Sequence, residues 1–352
     1  MLARIREALR RRLAPPPAPE AGRVSPLSAA PAIASAPAAR GGGAARPTVR
    51  RVLSVIHNPV VEPAAGRTLV EAMGWYDPDA LAREYAQDVR AASHGLLEYE
   101  VVARVEKDGF PAKQDGFCYD VATYLRCWQA RRGFHEPDAV DYRALLRAFD
   151  LVERVNAGEI DEVWLFAGPY SGYYESIMVG PGAFWCNAPP LDLGESRDLP
   201  RCRRRFVVMG FNYEREVGCM LEDLGHRAES IMAHVYRGRR GERNVWERFT
   251  RYDQIAPGQA SCGNVHFAPN SASDYDWGNP RPVLSDCDDW LRFPDLRGDR
   301  RLVDCRDWGN GDMRLHHLWW FERFPHAPGQ TDGISNNWWT YVSDPNTVAG
   351  GG

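Results

Sequence analysis

The chain is almost without lysine: Lys107 and Lys113 are the only two among 43 basic residues, and the rest are arginines. It lacks any apolar run near the roughly 20 residues that a membrane span needs. The longest runs, Val163–Ala167 and Phe206–Met209, are strand-sized. Cys-x-x-Cys pairs and zinc-ribbon spacings are missing, which argues against a cysteine-built metal site. GxSxG, HExxH, Walker A and GxGxxG are missing too, which sets aside the nucleophile elbow, the zincin helix, the P-loop and the dinucleotide fingerprint. The run Gly41–Gly43 lies in an Ala/Pro-rich stretch, not between a strand and a helix.

Charge is divided unevenly. Residues 1–50 carry nine Arg and two Glu, or +7, and the whole chain is −4, which leaves −11 for residues 51–352. A body that acidic is a poor partner for nucleic acid, whose binding rests on many cationic contacts to phosphate. Residues 1–13 form a short basic amphipathic segment, followed to Pro47 by Ala/Pro/Ser/Gly sequence that buries too little to order itself. The segment lacks the apolar core of a secretory signal. The expected organisation is a disordered basic leader over 1–48, a single domain over 49–346 and a disordered tail over 347–352.

Within that domain, short apolar runs alternate with helical patterns. Strands are expected at 51–57, 99–105, 162–167 and 205–209. Helices are expected from an Asp77-Pro78 start to Gly95, over 119–131, over 138–157 with Asp138 as cap, from 214 to 236 with an interruption near Gly225, over 244–253, and from Asp312 to 323. This alternation predicts an α/β fold with a mainly parallel sheet and helices on both faces. Beyond residue 255 the texture changes: seven of the twelve tryptophans fall there, among Asp, Asn, Gly and Pro. That last third, 255–346, reads as a Trp-rich loop and helix cover over the sheet.

Such sheets bind ligands at the carboxyl ends of their strands. Here those ends carry His57, the stretch from Tyr170 to Glu175, and Asn212, which makes Tyr170, Tyr174 and Asn212 candidate substrate contacts. Glu175 among tyrosines is a candidate general acid. The densest polar stretch, Cys262 to Asn279, contributes His266, Asp274, Asp276, Trp277 and Asn279; Asp276 is the candidate base or nucleophile and Trp277 a candidate platform. Asp and Asn in such a stretch equally make turns. On the helix after the fourth strand, His226 and Glu229 are three apart and share a face, as two ligands of one metal or a carboxylate orienting an imidazole would. The candidate metal set is His226, Glu229, His266 and Asp274, with a divalent ion such as zinc. His316 and His317 sit side by side on the last helix, so at most one serves a given site.

Eight cysteines are present. Cys186 with Cys202, and Cys287 with Cys305, each flank a loop, a spacing that suits loop-pinning disulfides in an oxidising compartment; buried thiols in a reducing one are the alternative.

Several long motifs are shared with a known group: Asp161-Glu-Val-Trp-Leu-Phe166, Tyr174-Glu-Ser176, Gly180-Pro-Gly-Ala-Phe-Trp-Cys-Asn187, Gly210-Phe-Asn-Tyr-Glu-Arg215, Gly225-His-Arg-Ala-Glu-Ser230, Asp274-Tyr-Asp-Trp-Gly-Asn279 and Ile334-Ser-Asn-Asn-Trp338. Through them the chain, from about Val52 to Asn346, resembles a widespread family of bacterial and fungal secreted proteins without an established activity. The resemblance implies an extracytoplasmic protein, some of whose relatives carry carbohydrate-binding or fibronectin-like modules; the missing secretory signal departs from that pattern. The expected function is a hydrolase of an extracellular glycan or peptide, working in a Trp-lined cleft by carboxylate and histidine chemistry with or without a metal. A non-catalytic carbohydrate- or cell-wall-binding protein and a biosynthetic tailoring enzyme are the alternatives.

Overall fold

The structure, a computed structural model, describes residues 47–193 and 198–348. The expected leader (up to residue 46) and the last four residues of the expected tail lie outside the described residues. Packed structure continues through Val348, which is buried and accepts a hydrogen bond from Arg205, two residues beyond the expected boundary.

The fold is α/β. Five strands form the main sheet: β1 (Thr48–His57), β2 (Leu97–Lys107), β3 (Glu162–Ala167), β4 (Ser176–Val179) and β5 (Phe206–Asn212), in the order β2-β1-β3-β5-β4. The first four in that order run parallel, and β4 is an antiparallel edge. Sequence pattern misses β4, because four residues offer too short a period to read.

Alternation along the strands sends side chains to two cores. Val52, Ile56, Trp164, Phe166, Val207, Met209 and Phe211 face one side. They meet α1 (Pro78–Ala92), the long α4 (Val217–Val235) and α5 (Met313–Glu322). Leu53, Val55, Val163, Leu165 and Val208 face the other, against α2 (Tyr142–Ala148) and α3 (Leu151–Ala157). With both faces covered, the inner strands are largely apolar, as parallel strands are, whereas the edge strand β2 carries Glu98, Glu100, Arg104, Glu106 and Lys107.

Two helix expectations change. The segment expected as one helix over 138–157 is two, broken at Asp150 (φ 52°), and its cap is Asp141, not Asp138, whose carboxylate instead binds Lys113. The helix expected to break near Gly225 runs unbroken. Gly225 is there for a tertiary reason: a Cβ would lie 2.5 Å from Val265 Cγ2.

The last third packs onto the first core as expected of a cover, but its tryptophans do not line a cleft. Trp277, Trp290, Trp308, Trp319, Trp320, Trp338 and Trp339 are all buried and extend that core. All eight cysteines are free thiols. Cys186 packs with Met178 and Ile231 on the α4 side of the sheet while Cys202 packs on the opposite side, so these two do not pair. Cys287 and Cys305 follow the two strands of the antiparallel hairpin Val283–Ser285/Arg301–Val303, which places them at its opposite ends. Among the described residues no helix is long and apolar enough to cross a membrane.

Candidate metal centre

One face of α4 is a polar stripe: Cys219, Glu222, Asp223, His226, Glu229 and Ser230 recur at helical spacing. The loop Ser261–Ala268 docks on that stripe because Gly225 leaves room for Val265. Docking is fixed by the Val265 N–H donating to Glu229 Oε1 at 3.2 Å. Within the loop, Asn264 Oδ1 accepts from the N–H groups of His266 and Phe267, both at 3.0 Å, a side-chain turn that presents His266 to the helix. From the sheet, Glu175 arrives over Gly210, where a Cβ would lie 2.5 Å from both Tyr173 and the Tyr174 carbonyl; Gly210 N–H donates to the Glu175 carbonyl at 3.1 Å. A helix, a loop and a strand end therefore meet at one seam.

The two imidazoles point their Nε2 atoms at a common point, 3.1 Å apart. Glu222 Oε1 lies 3.0 Å from His266 Nε2 and 3.9 Å from His226 Nε2. Among the described residues, these three form the one group of His, Cys, Asp or Glu whose ligand atoms all fall within 4.8 Å of one another. Behind each imidazole stands a carboxylate: His226 Nδ1 meets Glu229 Oε2 at 3.0 Å, and His266 Nδ1 meets Asp274 Oδ1 at 3.0 Å. A carboxylate on Nδ1 fixes the tautomer that leaves Nε2 free to coordinate, the arrangement usual around metal-bound histidine. Tyr275 closes the group, its hydroxyl 2.8 Å from Glu222 Oε1 and 3.1 Å from His266 Nε2. Glu175 Oε2 is 4.0 Å from His226 Nε2 and accepts from Asn187 Nδ2.

Electrostatics favour a cation here. Four carboxylates, of Glu175, Glu222, Glu229 and Asp274, surround two histidines, and among the described residues none of the four pairs with Arg or Lys. Burial works against a charge on His226, but Glu175, Glu229 and Glu222 outweigh it and push it up to about 9. Burial alone would raise Glu222; the hydrogen bond from His266 and the neighbouring histidines hold it at about 2 instead. Glu229 is lowered by its bond to His226 despite burial. Asp223, fully buried beside Glu175 and Glu222, is pushed well up by burial and by their charges. A pocket that stabilises a proton this strongly stabilises a divalent ion by the same field.

Of the residues singled out from sequence, His226, Glu229, His266, Asp274 and Glu175 come together. Glu229 and Asp274, however, orient the histidines and do not face the shared point. The member of the group that the sequence reading misses is Glu222, one helical turn before His226; the spacing Glu-x-x-x-His was its available signal. Tyr275 and Asn187 were missed as well.

The remaining candidates do not join. The Asp276 carboxylate accepts from the Ala272 N–H at 2.9 Å and from Asn279 Nδ2 at 2.7 Å, so both residues tie the loop and the Glu175/Asp276 acid–base pair is not assembled. Trp277 is buried and stacks on His316, 5.0 Å between centroids, out of reach of a substrate. His316 and His317 are buried; the latter meets the Val265 carbonyl at 3.2 Å, and burial lowers both, His317 to about 4. At the strand ends, His57 Nδ1 meets the Tyr173 hydroxyl at 2.7 Å, with burial lowering it to about 4. Tyr170 stacks on Phe134 and its carbonyl accepts from Lys113, Tyr174 stacks on Tyr142, and Asn212 Oδ1 accepts from the Glu214 N–H. An open groove of about 430 Å³ runs beside Glu229, lined by Trp185, Ser230, Ala233, His234 and Arg237.

Compared with protein-family models, curated proteins and solved structures, the chain matches none.

Proposed function

We propose that this protein is a metal-dependent hydrolase, with His226, His266 and Glu222 as ligands of one divalent ion and Glu175 as the general base. The observation that carries the reading is the convergence of two Nε2 atoms, 3.1 Å apart, each imidazole backed by a carboxylate on Nδ1. Nature uses two histidines and one glutamate for catalytic zinc, with a position left for water or substrate. A bound divalent ion would polarise a substrate carbonyl and lower the pKa of a coordinated water.

The chain's own residues supply the rest. Glu175, 41% exposed and bonded by Asn187, stands at the solvent side of the triangle, where a carboxylate can take a proton from attacking water and hand it to the leaving group. Glu229 and Asp274 hold the imidazoles in register. The rim is acidic, with Glu175 and Asp274 exposed, which disfavours phosphorylated substrates and fits a neutral peptide or glycan. Trp185, 46% exposed at the neighbouring groove, is the aromatic surface available for a sugar ring or an apolar side chain. An extracytoplasmic polymer, as the shared motifs imply, is consistent with such an open site.

The test is elemental analysis and zinc titration of the full chain. One ion per chain is expected, lost in His226→Ala and His266→Ala. Glu175→Gln is expected to keep the ion and lose 10²–10⁴-fold in turnover on a panel of peptide and glycoside substrates. A chain that neither copurifies with nor binds a divalent ion at micromolar concentration sinks the proposal. The same donor set, two histidines and one carboxylate, also serves non-haem iron. Copurified iron in place of zinc would turn the reading to oxidative tailoring, and an occupied site without turnover on any substrate would turn it to binding alone.

A further inference from the structure

We propose that Tyr275 is a fourth, displaceable ligand of this centre: its phenol oxygen occupies the open position at rest and yields it to substrate or water. The inference rests on the metal reading above and adds a device to it. Three observations support it.

The first is position. His226 Nε2, His266 Nε2, Glu222 Oε1 and the Tyr275 hydroxyl are four donor atoms, and five of their six mutual separations run from 2.8 to 3.9 Å. A tetrahedral ion with ligands at about 2.0–2.1 Å would set them about 3.3 Å apart. The hydroxyl lies beside two of the three ligand atoms, Glu222 Oε1 and His266 Nε2, at separations that suit a fourth corner.

The second is strain. Tyr275 has φ 58°, a left-handed conformation that is rare for an aromatic residue. Such a conformation persists where surrounding contacts insist on it. Here the Tyr275 N–H donates to the His266 carbonyl at 3.1 Å, and the ring packs on the His266 imidazole at 4.4 Å.

The third is freedom to leave. Tyr275 is 49% exposed, with Trp277 in edge contact at 5.2 Å, and the segment 271–279 has no helix or strand. Its neighbours divide the labour. Asp274 orients His266, and Asp276 anchors the turn through Ala272 and Asn279, so the ring can swing out about a fixed base. On leaving, the phenolate takes one proton from the water that replaces it. Phenol and hydroxide are formed from phenolate and water, and the charge at the centre is unchanged.

Phenolate bound to Fe(III) gives a visible charge-transfer band that histidine and carboxylate ligands do not. The full chain and its Tyr275→Phe variant would be loaded with Fe(III), with bound iron counted independently by elemental analysis. The expected result is a band in the wild type, bleached by fluoride as a colourless ligand for the open position, and no band in Tyr275→Phe, which keeps the ring and its packing and still binds iron. Iron bound without a band, or a band that survives in Tyr275→Phe, overturns the fourth-ligand proposal and leaves the three-ligand centre standing. No bound iron, together with no bound zinc, overturns both.

Discussion

Two buried carboxylates make an instructive pair. Asp161, at the start of β3, and Glu222, on α4, are both desolvated, which should raise them, and both are held at about 2. Asp161 is held down by arginine: Arg51 Nε at 3.0 Å and Arg204 Nη2 at 2.9 Å complete its charge balance. Glu222 is held down by histidines and has no arginine. The first arrangement is closed, because a guanidinium has no acceptor to offer a third party. The second is open, since imidazoles can exchange protons for a metal. What sets the seam apart is a surplus of acceptors with titratable partners, the feature on which the proposed function rests.

The difference can be broken from either side. The largest effect is expected at the seam's supporting carboxylates: Glu229→Gln should weaken metal binding 10–100-fold by zinc titration, and Asp274→Asn, on a more exposed partner, should do less. Next, Gly225→Ala forces a methyl against Val265, which should cost about 1–3 kcal/mol in denaturant unfolding and weaken the ion further by moving His266. In the closed arrangement, Asp161 should contribute stability at neutral pH that disappears in acid. Its folded pKa is depressed, so its contribution is complete above about pH 4, the unfolded carboxylate value, and is lost as pH falls through about 2. Denaturant unfolding at neutral pH should show Asp161→Asn roughly 1–2 kcal/mol less stable than the wild type, limited by the partly exposed Arg51, a gap that closes as pH falls through about 2, with zinc affinity unchanged. The smallest effect is expected from Tyr173→Phe, which removes the His57 hydrogen bond at a strand end: about 1 kcal/mol in stability and none in metal binding.

The sheet was legible because a parallel strand covered on both sides carries a continuous apolar run, as Val163–Ala167 of β3 and Phe206–Met209 of β5 show; α1 and α5 announced themselves through Asp77-Pro78 and Asp312. Gly225 misled, since a glycine inside a helical pattern looks the same whether it breaks the helix or admits a neighbour. The site was half legible. His226, Glu229, His266 and Asp274 were marked by their chemistry, but spacing cannot tell which ring nitrogen faces the shared point, so supporters were taken for ligands. Asp276 and Asn279 misled because turn-making and catalysis draw on the same side chains. The tryptophans misled because an aromatic ring serves a core as readily as a platform. Glu222 escaped notice because a carboxylate on a helix is usually solvated, and only the docking of a loop from forty residues downstream buries it.

The missing side chain at position 225 has a last consequence. Neither the helix nor the loop alone carries the three side chains: Glu222 and His226 come from one and His266 from the other, and the void opposite Val265 lets them close upon each other. On the proposed reading, occupancy and docking would be one equilibrium, and an ion captured at the seam would act as a rivet between segments distant along the polypeptide, withdrawn only when they part.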